Sequence, residues 1–163
     1  MYQDDKRDDV IEGFFAKIDG WINDNKLNIK RVDTDECEAA MNLSFDQLEE
    51  MSPADLLKNG YILYGYADYI SSAHNSEKMI YEYADNSINY ILAQQFNNYG
   101  DQYTKWDIKY NSAVKENPMA KKLNTLKNNA KARLTLLEYR AEHIKKMGDI
   151  MIELSRKKKN EYY

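Results

Sequence analysis

After Pro118 every seventh residue is apolar: Leu123, Ala130, Leu137, Ile144 and Met151. Leu126, Leu134, Ala141, Met147 and Leu154 fill a flanking stripe. A repeat of seven holds one face of an α-helix against a neighbour along its whole length. The chain must therefore supply or recruit a helix of matching length. The pair Asn117-Pro118 is a strong helix start, and the pattern runs to about Lys157.

A partner of that length lies upstream. Ser52-Pro53-Ala54-Asp55 combines a capping serine, a proline at the first helical position and an acid that favours the helix dipole. Met51 and Leu56 are placed for a hydrophobic staple across this start. No further proline occurs until Pro118, and apolar residues recur from Leu56 through Leu63, Ile70, Ile80, Ala84 and Ile88 to Phe96. This predicts one helix of about 45 residues, about 65 Å long. Asn97-Asn98-Tyr99-Gly100-Asp101 is a turn cluster, and Thr104-Lys105-Trp106-Asp107 restarts a helix with a capping-box pattern. The prediction is an all-α fold: an elongated antiparallel helical hairpin over residues 52–163, coiled-coil-like, behind an acidic arm of short helices over residues 1–51. Two prolines and six glycines in 163 residues are too few for a fold of many short strands. A two-helix hairpin buries little surface per residue, so we expect a homo-oligomer.

Within the arm, Ile11, Phe14, Phe15, Ile18, Trp21 and Ile22 fall at helical spacing. Residues 23–43 read as irregular, with a short strand conceivable at Leu27, Ile29 and Val32. Ser44-Phe45-Asp46-Gln47 is a capping box before a short helix ending near Glu50. A single cysteine, Cys37, an acidic N-terminus without an apolar core segment, and no long apolar run lead us to expect a cytoplasmic protein without a membrane span.

Catalytic constellations are missing from the sequence. The two histidines, His74 and His143, have Ser71 and Arg140 three residues before them, so the Glu-x-x-His motif of di-iron bundles does not occur. There is no metal-binding cysteine cluster and no glycine-rich phosphate loop. Cys37 has no neighbouring cation to lower its pKa. We expect neither an enzyme nor a cofactor.

Charge is the informative feature. Residues 1–56 carry 6 Lys/Arg against 15 Asp/Glu, residues 57–103 carry 2 against 5, and residues 104–163 carry 15 against 7. Such halves can pair within the chain, between subunits or with outside partners. Lys105 and Lys109 precede the last helix, and Lys121, Lys122, Lys127, Lys131 and Arg133 lie on it. Tyr99, Tyr103, Trp106 and Tyr110 interleave with them. Cations for phosphates and π-faces for splayed bases are what a single-stranded nucleic acid requires. The competing interpretation makes the aromatics a cap on the hairpin core and the lysines a solvated face. Arg156-Lys157-Lys158-Lys159 suits a helix C-terminus, and in a ring of several copies would add into a large positive field. Of the 14 tyrosines, those at 61, 64, 66 and 69 read as half-buried seam residues.

The order of a long helix, a Tyr/Gly turn, Tyr103-x-Lys105-x-Asp107-Ile108-Lys109 and a long heptad helix with Lys145 and Lys146 near its end resembles the phage recombination mediators of the UvsY type. The resemblance covers roughly residues 53–157. It implies a small helical protein that forms rings, binds single-stranded DNA, and helps a RecA-like recombinase replace single-strand-binding protein. The family's Lys-x-Arg pair near the end of the first long helix is replaced by Ala93-Gln94-Gln95, while Lys131-Ala132-Arg133 lies on the other helix. Phosphate contacts are thus expected from Lys105, Lys109, Lys121, Lys122, Lys127, Lys131 and Arg133, and stacking from Tyr103 and Trp106. The rival expectation is an adaptor coiled coil acting through protein contacts without nucleic acid. A small inhibitor with a DNA-like acidic face is a third class, but the N-terminal carboxylates look scattered.

Overall fold

The computed structural model describes residues 9–25 and 32–161. Every regular element among them is helical. The chain divides into two compact units, residues 1–31 and 32–163. The first contains α1 (Asp9–Asp24), in which the rings of Phe14 and Phe15 meet edge-on at 5.5 Å. The alternation at Leu27 and Ile29 lies outside the described residues.

The second unit begins with a helix that the sequence reading missed, α2 (Thr34–Met41). Asp33 caps it, accepting from the backbone N–H of Asp35 at 3.0 Å and of Glu36 at 3.3 Å. Cys37 and Ala40, three residues apart, are buried against the long helix that follows. The next helix, α3 (Phe45–Glu50), has the expected capping box: Gln47 N–H donates to Ser44 Oγ, and Gln47 Oε1 accepts from Ser44 N–H at 2.8 Å. Because Cys37, Ala40 and Leu48 join the hairpin core, α2 and α3 belong to the hairpin unit rather than to a separate arm.

The central element is α4 (Pro53–Gln94), 42 residues started by Ser52 and Pro53 as expected. A short 3-10 turn, Phe96–Tyr99, leads to Gly100, whose φ of +136° favours glycine. A Cβ there would lie 2.6 Å from Thr104 Oγ1. Next comes α5 (Trp106–Glu116). Thr104 does not cap it; its hydroxyl donates to Asp101 at 2.9 Å, and Asp101 also accepts from Tyr103 N–H at 3.0 Å. These bonds hold the Asp101 carboxyl below its ordinary pKa.

The expected single C-terminal helix is two helices, α6 (Pro118–Leu137) and α7 (Arg140–Glu161). Asn117 caps α6, accepting from Met119 N–H at 2.9 Å and Ala120 N–H at 3.2 Å. The break falls at Glu138, extended at φ −57° and ψ 132°, and Tyr139, left-handed at φ 59°. No proline or glycine causes it. On the facing helix, no apolar residue of α4 between Ile70 and Ile80 is fully buried. At that level a continuous helix would gain little apolar burial, so tertiary packing does not enforce continuity.

Both helices run antiparallel to α4, which completes the hairpin. Ser155 Oγ donates to Pro53 C=O at 2.7 Å at one end, and Lys127 meets Asp85 further along. Two apolar clusters lie in the seam. One joins Leu56, Leu63, Tyr66, Ala67, Ile70, Ile144 and Met151 with α2 and α3; the other joins Ala84, Ile88, Leu92, Tyr99, Ala113 and Leu123. Of the heptad residues Leu123, Ala130, Ile144 and Met151 are buried, and Leu137, beside the break, is half-buried. Gly60 and Gly148 let α4 and α7 approach closely: a Cβ at Gly60 would lie 2.9 Å from Ile152 Cγ1 and 3.2 Å from the carbonyl oxygen of Gly148.

Candidate nucleic-acid interface

Amphipathic packing sorts the expected DNA-contacting residues into three groups. The first is inside. Lys109 is 0% exposed and is not available to a phosphate at the surface, so it leaves the expected contact set. Its position on α5 follows from helical spacing, which puts it with buried Ala113 on the face packed against α4 and α6. Tyr99 is likewise in the core, its hydroxyl donating to Gln95 Oε1 at 2.7 Å. Tyr110 packs against the same cluster. These two tyrosines are therefore the cap on the hairpin core, not a stacking surface.

The second group is spent on internal ion pairs. Lys127 Nζ donates to Asp85 Oδ1 at 2.7 Å and to Tyr110 Oη at 2.9 Å, and lies 4.8 Å from the centre of the Tyr110 ring. Partial burial pulls its pKa down. The hydrogen bonds to Asp85 and Tyr110 outweigh that, leaving it above the ordinary lysine value. Arg133 Nε donates to Glu77 Oε1 at 2.8 Å. The other Glu77 oxygen is buried without a hydrogen-bond partner. On α7, Lys145 lies 3.5 Å from Asp68, and Lys158 donates to the carbonyls of Met51 at 2.8 Å, of Leu48 at 3.4 Å and of Glu49, closing the C-terminal end of α3. The basic helices thus draw on the acids of α4, a pairing the segment charges allow but do not specify.

The third group stays at the surface: Lys105, Lys121, Lys122 and Lys131, with Tyr103 84% and Trp106 48% exposed. Tyr103 and Lys105 lie in the turn that starts α5, and Trp106 is its first residue. The contacts of Tyr110 with Lys127, and with Asn124 at 3.5 Å, set α5 antiparallel to α6. Trp106, four residues before Tyr110, therefore lies toward Lys131, while Lys121 and Lys122 lie toward the far end of α5. The result is an aromatic pair at one end of a short helix and cations at both.

Sequence reasoning missed the acids that neutralise Lys127 and Arg133, because nothing in a single sequence pairs position 85 with 127. It also missed an open cleft of about 620 Å³ where the α6–α7 break faces Ser71, His74 and Asn75 of α4. No helix among the described residues is long and apolar enough to cross a membrane. No family model matches the chain, and no curated protein or solved structure is significantly similar to it.

Proposed function

We propose that this protein is a non-enzymatic recombination mediator of the UvsY type, which binds single-stranded DNA and helps load a RecA-like recombinase in place of single-strand-binding protein. The observation that carries the reading is the exposed Tyr103–Lys105–Trp106 group at the start of α5, continued by Lys131, Lys121 and Lys122 along α6. Aromatic faces accept any base, and lysines neutralise phosphates without reading sequence. The layout of residues 53–157 and the excess of 15 cations over 7 acids in residues 104–163 support the same reading. Exposed apolar residues outside the seam, among them Leu57, Leu136 and Ile150, suit a homo-oligomer. The protein would work in the cytoplasm, that of the host if it is phage-encoded.

Fluorescence anisotropy with labelled oligo-dT tests this. Tyr103→Ala and Trp106→Ala should each cost about 1–3 kcal/mol of binding, with light scattering giving a mass above that of one chain. An absence of binding by the wild-type protein would sink the reading. A second interpretation is favoured by the ion pairs of Lys127, Arg133 and Lys145 with α4. With those charges neutralised internally, the hairpin is an adaptor that binds another protein at fixed stoichiometry and ignores DNA.

A further inference from the structure

An open cleft lies at the α6–α7 break. It measures about 620 Å³, within the size range of small-molecule sites. Leu137 supplies an apolar wall, and His74 and Asn75 supply hydrogen-bonding groups from α4. Glu138 and Glu142 supply carboxylates from the opposite side. Tyr139, 73% exposed, and Lys145 also line it; Lys145 lies 3.5 Å from Asp68, and Glu142 is paired with Lys146 at 3.1 Å. The peptide joining Glu138 to Tyr139 is turned over relative to a helix: ψ of Glu138 is 132° where a helix has about −42°, and φ of Tyr139 is 59° where a helix has about −63°. A bulky residue in the left-handed region costs about 1–2 kcal/mol. Such strain concentrates at ligand clamps and switches, and here both residues of the turned peptide line the cleft.

We propose that this cleft takes one unpaired nucleobase bearing an exocyclic amino group, swung out of a strand that runs along α5 and α6. The inference rests on the single-stranded DNA reading and adds a base preference to it. The lining chemistry selects the occupant. Amide and imidazole groups match the alternating donors and acceptors of a base edge, and carboxylates accept from the amino groups of cytosine, adenine or guanine. Thymine has no amino group to offer. With Glu142 paired to Lys146, Glu138 is the carboxylate that accepts from the amino group. Lys131 lies six residues before the end of α6 at Leu137, about 9 Å along its axis, so a strand held there reaches the cleft within a few nucleotides.

The test compares oligo-dT with the same strand carrying one central dC, for the wild-type protein, Asn75→Ala and Glu138→Ala. Asn75 is exposed on a helix that tolerates alanine, so its fold should survive. We expect the wild type to prefer the dC strand by about tenfold, and both variants to lose that preference with an unchanged salt slope. A free mononucleotide, deoxycytidine monophosphate, should compete only weakly. Equal binding of the two strands by the wild type, or a preference that survives in both variants, overturns the cleft while leaving the DNA reading intact. Competition by the mononucleotide at strand-like concentrations overturns the strand-borne base in favour of a nucleotide site. A wild type that binds neither strand overturns both readings.

Discussion

A lysine on an amphipathic helix keeps its ammonium in water, pairs it with a partly buried acid, or is buried whole; the three states cost different amounts. Lys121, Lys127 and Lys109 exemplify them in turn. Lys127→Met removes the bond to Asp85 and leaves that acid partly buried without its cation, so chemical denaturation should show a loss of about 2 kcal/mol. Arg133→Ala should likewise destabilise, because Glu77 already has one buried oxygen without a partner. Neither variant should flatten the salt dependence of DNA binding, which is what separates a structural cation from a phosphate contact. The pH dependence has a definite sign. Lys127 has a raised pKa in the fold, so its contribution is complete below the ordinary lysine value of about 10.4 and is lost as pH rises through the folded value. Tyr64, donating to Asp149, and buried Cys37, raised by burial and then by Asp33 and Glu36, have the same alkaline sign. Stability should fall on alkaline titration, followed by circular dichroism, and Cys37 should react with a disulfide reagent far more slowly than a free thiol at the same pH.

At the level of helices, strong local signals were legible and tertiary ones were not. Ser52-Pro53, Asn117-Pro118 and the capping box at Ser44 each combine several start signals within four residues, and each starts a helix. In contrast, α2 offers eight residues with an Asp cap and two buried side chains, too short a pattern to stand out from an irregular acidic stretch. The break at Tyr139 carries no breaker at all and depends on what α4 presents opposite it. This gives a sharp test. In a continuous helix Tyr139→Gly would cost about 1 kcal/mol; at a left-handed Tyr139 it should instead stabilise by about that amount, measured as a rise in Tm. The glycines of α4 divide in the same way. Gly65 has only Val32 Cγ1 nearby, at 3.7 Å from an added Cβ, so Gly65→Ala should stabilise by about 0.5–1 kcal/mol. Gly60→Leu must separate α4 from α7 and should cost about 2–3 kcal/mol.

For the hairpin unit as a whole, the charge distribution has changed meaning. The cationic last third of the chain is partly a set of internal partners for α4, with Asp68, Glu77 and Asp85 spaced along that helix to receive Lys145, Arg133 and Lys127. What remains for an outside anion is smaller and includes Lys105 before α5, Lys121, Lys122 and Lys131 of α6, and Arg156, Lys157 and Lys159 near the end of α7. The heptad pattern revealed the hairpin because burial repeats along a helix. The division of its lysines stayed hidden because it depends on contacts across more than forty residues of chain.

The most direct test of the account is the slope of log K against log salt for oligo-dT binding, starting at about 50 mM salt. A steep negative slope is expected for the wild-type protein. Single strands contribute about 0.7 per neutralised phosphate, so replacing Lys105, Lys121, Lys122 and Lys131 together by alanine should flatten the slope by about 3. Lys127→Met and Arg133→Ala should leave it unchanged. Binding that is absent at low salt, or a slope that responds to Lys127 and Arg133 but not to the four exposed lysines, would contradict it.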